Sequence, residues 1–270
     1  MPTLVNQALD DVLATIMTEN GDPLTMVGPS ETVIEQLVEV GTNIGDPPKV
    51  RLLADGSTLK SAVGDFLVAG RAADLVADDV LSLRTTGSPP GNDLVASEEE
   101  VAALIVAGES AGAVATDDTE FVEHTSGFYD GVWADAEEFS LRTPPLSRVR
   151  STLDADLGTD VAVDFDAVLS SLETARGDGD GLDEVTISLL VAAKNEELLY
   201  DISKWGEDVG IASKATFSRT KTDLEDLGLL DTEKVPIDVG RPRLRLKFGD
   251  DRLADASSEE LASVAQSLMA

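Results

Sequence analysis

From residue 183 onward, apolar residues recur at helical spacing in three successive segments. The first covers residues 183–194, where Asp183 and Glu184 suit a helix start and Lys194-Asn195 suits an end. The second covers 197–208, with Leu198, Ile202, Trp205 and Val209 three to four apart, and Gly210 breaks it. Ser213 is placed to cap a third helix over 214–227, which Gly228 terminates. On that helix Phe217, Thr220, Leu224 and Leu227 fall on one face. Ala215, Ser218, Arg219 and Thr222 fall on the opposite one. A helix, a tight glycine-containing turn and a second helix make a helix-turn-helix.

Two β-like runs follow. In Arg243-Leu244-Arg245-Leu246-Lys247-Phe248, basic and apolar residues alternate strictly, so a strand would segregate them on its two faces. Val239-Gly240-Arg241-Pro242 reads as the turn between the runs and carries an arginine at its tip. A hairpin with a basic tip beside a recognition helix is a wing. The expected DNA contacts are Lys214, Thr216, Ser218, Arg219, Lys221, Thr222, Arg241, Arg243 and Arg245. Arg219 is expected to read a guanine edge. Lys214 and Lys221 are expected to touch phosphate, and Arg241 to reach a minor groove or phosphates.

The N-terminal half alternates differently. A helix is predicted over 1–20, a strand at 23–27, a helix over 31–40, a strand at 49–54 and a helix over 58–77. Strands follow at 80–85, 93–96, 101–107 and 112–116, then a helix over 119–138. This order implies a largely parallel α/β sheet with a hairpin portion. A proline-containing break at 139–145 precedes two helical stretches, 148–156 and 163–176. The glycine- and aspartate-rich run 176–183 reads as a flexible linker rather than an EF-hand calcium loop, whose spacing and terminal Glu it lacks.

Charge changes the picture. The net charge is −32, which by itself argues against DNA as a partner and fits the acid-coated surface of a protein from a high-salt cytoplasm. The charge is uneven, however. Residues 1–180 carry −25, whereas residues 211–248 carry +2. A basic island in so acidic a chain points to DNA phosphate. There is no cysteine, which removes disulfides, thiolate metal sites and thiol catalysis. No apolar run is long enough to span a bilayer, and no membrane association is expected.

In parallel α/β sheets, ligands sit at the carboxyl ends of strands, beside helix N-termini. Gly28, Ser30 and Thr32 in one turn, and Asp55, Ser57 and Thr58 in another, are the candidates for a small metabolite. Ordinary helix capping explains the same residues. Neither turn is a phosphate-binding loop of known pattern. The single histidine, His124, has no evident catalytic partner. No enzyme activity, cofactor or metal is expected.

The segments Val209–Arg219, Leu224–Leu229 and Gly240–Arg243 resemble the winged-helix core of archaeal transcription regulators. The acidic α/β part ahead of them resembles the effector domains of TrmB-type regulators. The whole chain is similar to the TbsP-like family of haloarchaeal regulators, which the resemblance links to central carbon metabolism. TrmB proteins usually carry the DNA-binding domain first, whereas here it comes last, so no sugar-binding position is transferred. The expected organisation is an α/β sensor-like domain (1–139), a helical connector (140–182), a C-terminal winged helix-turn-helix (183–249) and an acidic helix (250–270). The expected protein is a cytoplasmic, homodimeric, sequence-specific regulator of double-stranded promoter DNA. The alternative is a winged-helix interaction module that binds protein and not DNA.

Overall fold

The structure is a computed structural model that describes residues 4–20, 23–87, 91–108, 110–172, 175, 182–236 and 242–270. Contacts divide the chain into two compact units. One comprises residues 1–64 and 71–141, the other residues 65–70 and 142–270.

The first unit holds an eight-stranded sheet in the order β1-β7-β6-β5-β2-β3-β4-β8. The strands are β1 (Leu4–Gln7), β2 (Leu24–Val27), β3 (Val50–Ala54), β4 (Leu81–Thr85), β5 (Asp93–Ala96), β6 (Val101–Ala107), β7 (Ser110–Thr116) and β8 (Glu137–Glu138). Among the described strands only β2–β3 and β3–β4 pair in parallel. The other neighbours are antiparallel, which corrects the expected largely parallel sheet. Connection length decides this. A parallel crossover needs a dozen or more residues, but β5 and β6 are joined by residues 97–100 and β6 and β7 by 108–109, so both must turn back as hairpins.

The helices of this region are α1 (Leu9–Glu19), α2 (Glu31–Asn43), α3 (Gly56–Ala62) and α5 (Thr119–Asp135), while α4 (Phe66–Ala77) has residues 66–70 in the second unit and 71–77 in the first. Two depart from the sequence expectation. The helix over 1–20 begins only at Leu9, because Leu4–Gln7 pairs with the edge of β7. The helix over 58–77 is broken. Gly64 turns back on the Ser61 carbonyl, and the Asp65 carboxylate takes the amides of Leu67 and Val68, starting α4 afresh.

The second unit adds α6 (Leu146–Leu157), α7 (Thr159–Ser171), α8 (Glu184–Lys194), α9 (Leu199–Val209), α10 (Lys214–Asp226), β9 (Leu230–Val235), β10 (Arg243–Phe248), α11 (Asp251–Asp255) and α12 (Ser258–Met269). Helix α8 is at its centre, with residues 185–193 all buried. Residues of α6, α7 and α12 share one apolar core with α8, α9 and α10. The Trp205 indole donates to Thr152 Oγ1 at 3.0 Å and meets Phe165 edge to face at 6.4 Å, so α9 is keyed to both α6 and α7. The single helix expected over 250–270 is two. Ser257 and Glu260 form a reciprocal capping box that starts α12. Most of the linker expected over 176–183 lies outside the described residues.

Candidate nucleic-acid interface

Helix α8 starts where Asp183 Oδ1 accepts the Thr186 amide at 2.7 Å. Helix α9 buries Ile202, Trp205, Gly206 and Val209 and ends at Gly210, whose φ of +98° is left-handed. That conformation lets the Gly206 carbonyl accept the amides of both Gly210 and Ile211 and makes the turn tight. Ser213 then caps α10 by accepting the Thr216 amide at 3.1 Å. Phe217 is fully buried and packs directly over Gly206. After Gly228, at φ +76°, β9 and β10 form an antiparallel ladder from Leu230↔Phe248 to Val235↔Arg243.

On α10, Ala215, Ser218, Arg219 and Thr222 are exposed, while Phe217 and Leu224 are buried. Leu227, expected on the core face, is 53% exposed. It is the C-cap residue, one position past the end of α10.

The basic side chains divide into two groups. Lys214 Nζ lies 2.7 Å from Glu207 Oε2. That bond raises the lysine pKa and lowers that of the glutamate. Lys221, expected to reach phosphate, is instead 8% exposed with its ammonium 2.6 Å from Glu225 Oε2. The other Glu225 oxygen accepts Thr232 Oγ1 at 3.0 Å, so Lys221 helps fasten α10 to β9 and presents no charge to a ligand. The Arg243 guanidinium stacks on Tyr200, 4.3 Å from the ring centroid, and reaches Asp201 at 3.4 Å. Lys247 faces Glu233 at 2.9 Å and Glu196 at 3.9 Å. Arg245 is half-buried, with Nε shut away and unbonded among the described residues. Arg219 and Lys234 are exposed and form no ion pair among the described residues. Arg241 lies outside those residues.

Thr216, Ser218, Arg219 and Thr222 thus come together on one helix, with Lys214 at its start. Arg243 and Arg245 lie on β10 against α9. Tyr200 and Lys234 also border this surface, and sequence periodicity does not single them out. Tyr200 is 47% exposed in the first turn of α9, a large aromatic where a solvated residue is the rule. Lys234 stands two residues before the described end of the strand loop, where a basic hairpin shoulder was legible.

The metabolite candidates also come together, but among acids. Ser30 caps Val33, and its amide faces the Asp93 carboxylate at 3.4 Å. Asp55 accepts the Ser57 amide at 2.8 Å, which with the Ser57 hydroxyl pulls its pKa down. Ser61 of α3 donates to Glu31 of α2. Gly28 is left-handed at φ +70°; Thr32 is exposed and Thr58 half-buried. Among the described residues no three His, Cys, Asp or Glu side chains are grouped to hold a metal. No described helix is long and apolar enough to cross a membrane.

No match is found among curated proteins. One solved structure that the chain resembles is that of TrmBL2, an archaeal chromatin protein with a novel mode of DNA binding. The two are 14% identical with a TM-score of 0.36, and the match covers 52% of this chain and 55% of that one. The family described as "Transcriptional regulator TbsP-like" matches through both of its parts, the N-terminal region over residues 1–144 and the C-terminal HTH domain over residues 145–266. The chain belongs to the TbsP-like family of transcriptional regulators.

Proposed function

We propose that residues 183–249 are a winged helix-turn-helix that binds promoter DNA sequence-specifically. Helix α10 enters the major groove, β9–β10 is the wing, and the protein acts as a homodimer on paired half-sites. The first unit is the effector part, which takes up a small metabolite. The acid excess suits the cytoplasm of a halophile.

The observation that carries this reading is Arg219. It is exposed and without an ion pair among the described residues, and it is flanked by Ala215, Ser218 and Thr222. Small neighbours let the helix approach base edges, and a free guanidinium can take guanine O6 and N7 together. Lys214, Thr216 and Thr222 border that surface, Lys234 extends it along the wing, and Tyr200 with Arg243 offers a polar edge to the backbone. Lys221 has no place in it.

The test is selection of bound sequences from random DNA, followed by affinity measurement in potassium chloride. Arg219→Ala is expected to cost about 1–3 kcal/mol on the selected site and to flatten preference at one base pair. Lys221→Ala is expected to leave sequence preference intact. Failure of the wild-type chain to enrich any sequence, together with recovery of a stoichiometric protein partner, would replace this reading with a protein-docking winged helix.

A further inference from the structure

The helix N-termini at the carboxyl ends of β2 and β3 are poor places for an anion. Asp93 already faces the Ser30 amide, and Asp55 and Glu31 bond the hydroxyls of Ser57 and Ser61. The opposite end of the same strands has a different character. Residues 1–141 contain only five basic residues, Lys49, Arg51, Lys60, Arg71 and Arg84. Lys49 and Arg51 stand at the start of β3, and Arg84 is two residues further along neighbouring β4, whose Ser82 pairs with Arg51. Arg51 and Arg84 both lie against Trp133, 5.8 and 4.8 Å from its ring centroid. Arg84 Nη1 also donates to the Trp133 carbonyl at 2.5 Å, so its position is fixed.

Arg51 is less committed. Its Nη1 reaches Asp130 at 3.0 Å, but the two side chains are 37% and 63% exposed, and such a pair contributes little. Beside it opens a cleft of about 350 Å³, lined by Thr25, Ser97, Glu98, Ser126 and Tyr129. The Tyr129 phenol, whose pKa burial pushes up from its already high ordinary value, is a proton donor there. A second cleft of about 390 Å³ lies on the other side of Arg51, beside Lys49 and Ser82.

We propose that the Arg51 cleft binds a small, hydroxylated organic anion. Its carboxylate or phosphate group displaces Asp130 from the Arg51 fork, and its hydroxyls meet Thr25, Tyr129 and the Glu98 carboxylate. In a unit this acidic, anions are repelled from most of the surface, and a guanidinium beside an aromatic ring, held only by one exposed carboxylate, is where one can be held. Glu98 disfavours a densely charged ligand and rewards one that offers hydroxyl donors. The cleft volume is in the range of small-molecule sites. This inference rests on reading the first unit as the effector part, and is independent of how α10 meets DNA.

The test uses the full chain without DNA at constant potassium chloride. Gluconate supplies charge and hydroxyls, glucitol hydroxyls alone, and inorganic phosphate charge alone. Calorimetry gives affinity, and hydrogen exchange over residues 49–53 and 126–133 gives location. Gluconate is expected to bind more tightly than either comparison probe and to protect both segments. Arg51→Gln is expected to weaken gluconate at least about tenfold, and Asp130→Asn, which removes the internal competitor, to strengthen it several-fold. The Asp130 arm decides if Arg51→Gln unfolds. Gluconate affinity unchanged or weakened in Asp130→Asn makes the pair purely structural and overturns the proposal. So does an absence of protection, or equal affinity for phosphate and gluconate. DNA enrichment by the same preparation is measured separately, so loss of this site and loss of the DNA reading are distinguishable.

Discussion

Asp65 shows what one buried carboxylate can do in the second unit. It is almost fully buried, yet it accepts the amides of Leu67, Val68 and Ala175 at 2.8, 3.1 and 2.7 Å. It therefore caps α4 and binds a strand of chain far away in sequence. Asp65→Ala leaves those amides without their acceptor and is expected to cost about 3 kcal/mol, read as a lower urea midpoint by Trp205 fluorescence. Glu184 is a contrasting case. Burial is the main cause of its raised pKa, and the nearby charges of Asp183 and Asp65 add to it. A carboxyl that holds its proton more tightly in the fold than in the unfolded chain destabilises the fold once ionised. That penalty is absent below its ordinary value of 4.5 and grows as pH rises through the raised one. Glu184→Gln is thus expected to raise the thermal midpoint at neutral pH. The gain over wild type should vanish as pH falls through the ordinary carboxylate range; a gain that persists in acid would contradict burial as the cause.

At the scale of elements, the helix-turn-helix depends on a close approach between α9 and α10. A Cβ on Gly206 would lie 2.4 Å from the Phe217 ring, and Phe217 has no exposed side to retreat to. Gly206→Ala is expected to destabilise the second unit by about 2–3 kcal/mol and to loosen the turn at Gly210. A double variant with Phe217→Leu should recover part of that loss, since the smaller side chain vacates the space. Much of this unit was legible in sequence. Ser213, Gly210 and Gly228 mark helix ends by local conformational rules, and the Arg243–Phe248 alternation marks a strand. Pairing across the fold was not legible. Periodicity placed Lys221 on a flank of α10, but only the arrival of β9, with Thr232 beside Glu225, turns that flank inward. The first unit is less legible for a similar reason. Local pattern identified β5, β6 and β7 as strands, while their antiparallel order follows from connection lengths and from which edge each strand finds. The cations at Arg51 and Arg84 are far apart in sequence and meet only through strand register and α5.

Across the whole molecule, the charge of −32 and the local value of +2 over residues 211–248 pose one question: how such a chain holds DNA in salt. The structure sharpens it, because the basic island is largely neutralised from within. Lys214, Lys221, Arg243 and Lys247 of the island each face a carboxylate of the same unit, as does Lys204 just before it. When such a cation turns to a DNA phosphate, the counterion released from DNA is matched by one taken up by the abandoned carboxylate. Little net release follows, and salt opposes binding little. Only unpaired cations contribute fully. With Arg219 and Lys234 as the exposed unpaired cations among the described residues of 211–248, the logarithm of affinity is expected to fall with the logarithm of salt concentration at a slope of about −2 per helix-turn-helix domain. Glu207→Gln, which frees Lys214, should strengthen binding at low salt and steepen the slope by about one. Glu225→Gln should not steepen it, because Lys221 stays buried under β9. Equal slopes in wild type and Glu207→Gln would mean that Lys214 does not face DNA, and would move the contact surface away from the start of α10.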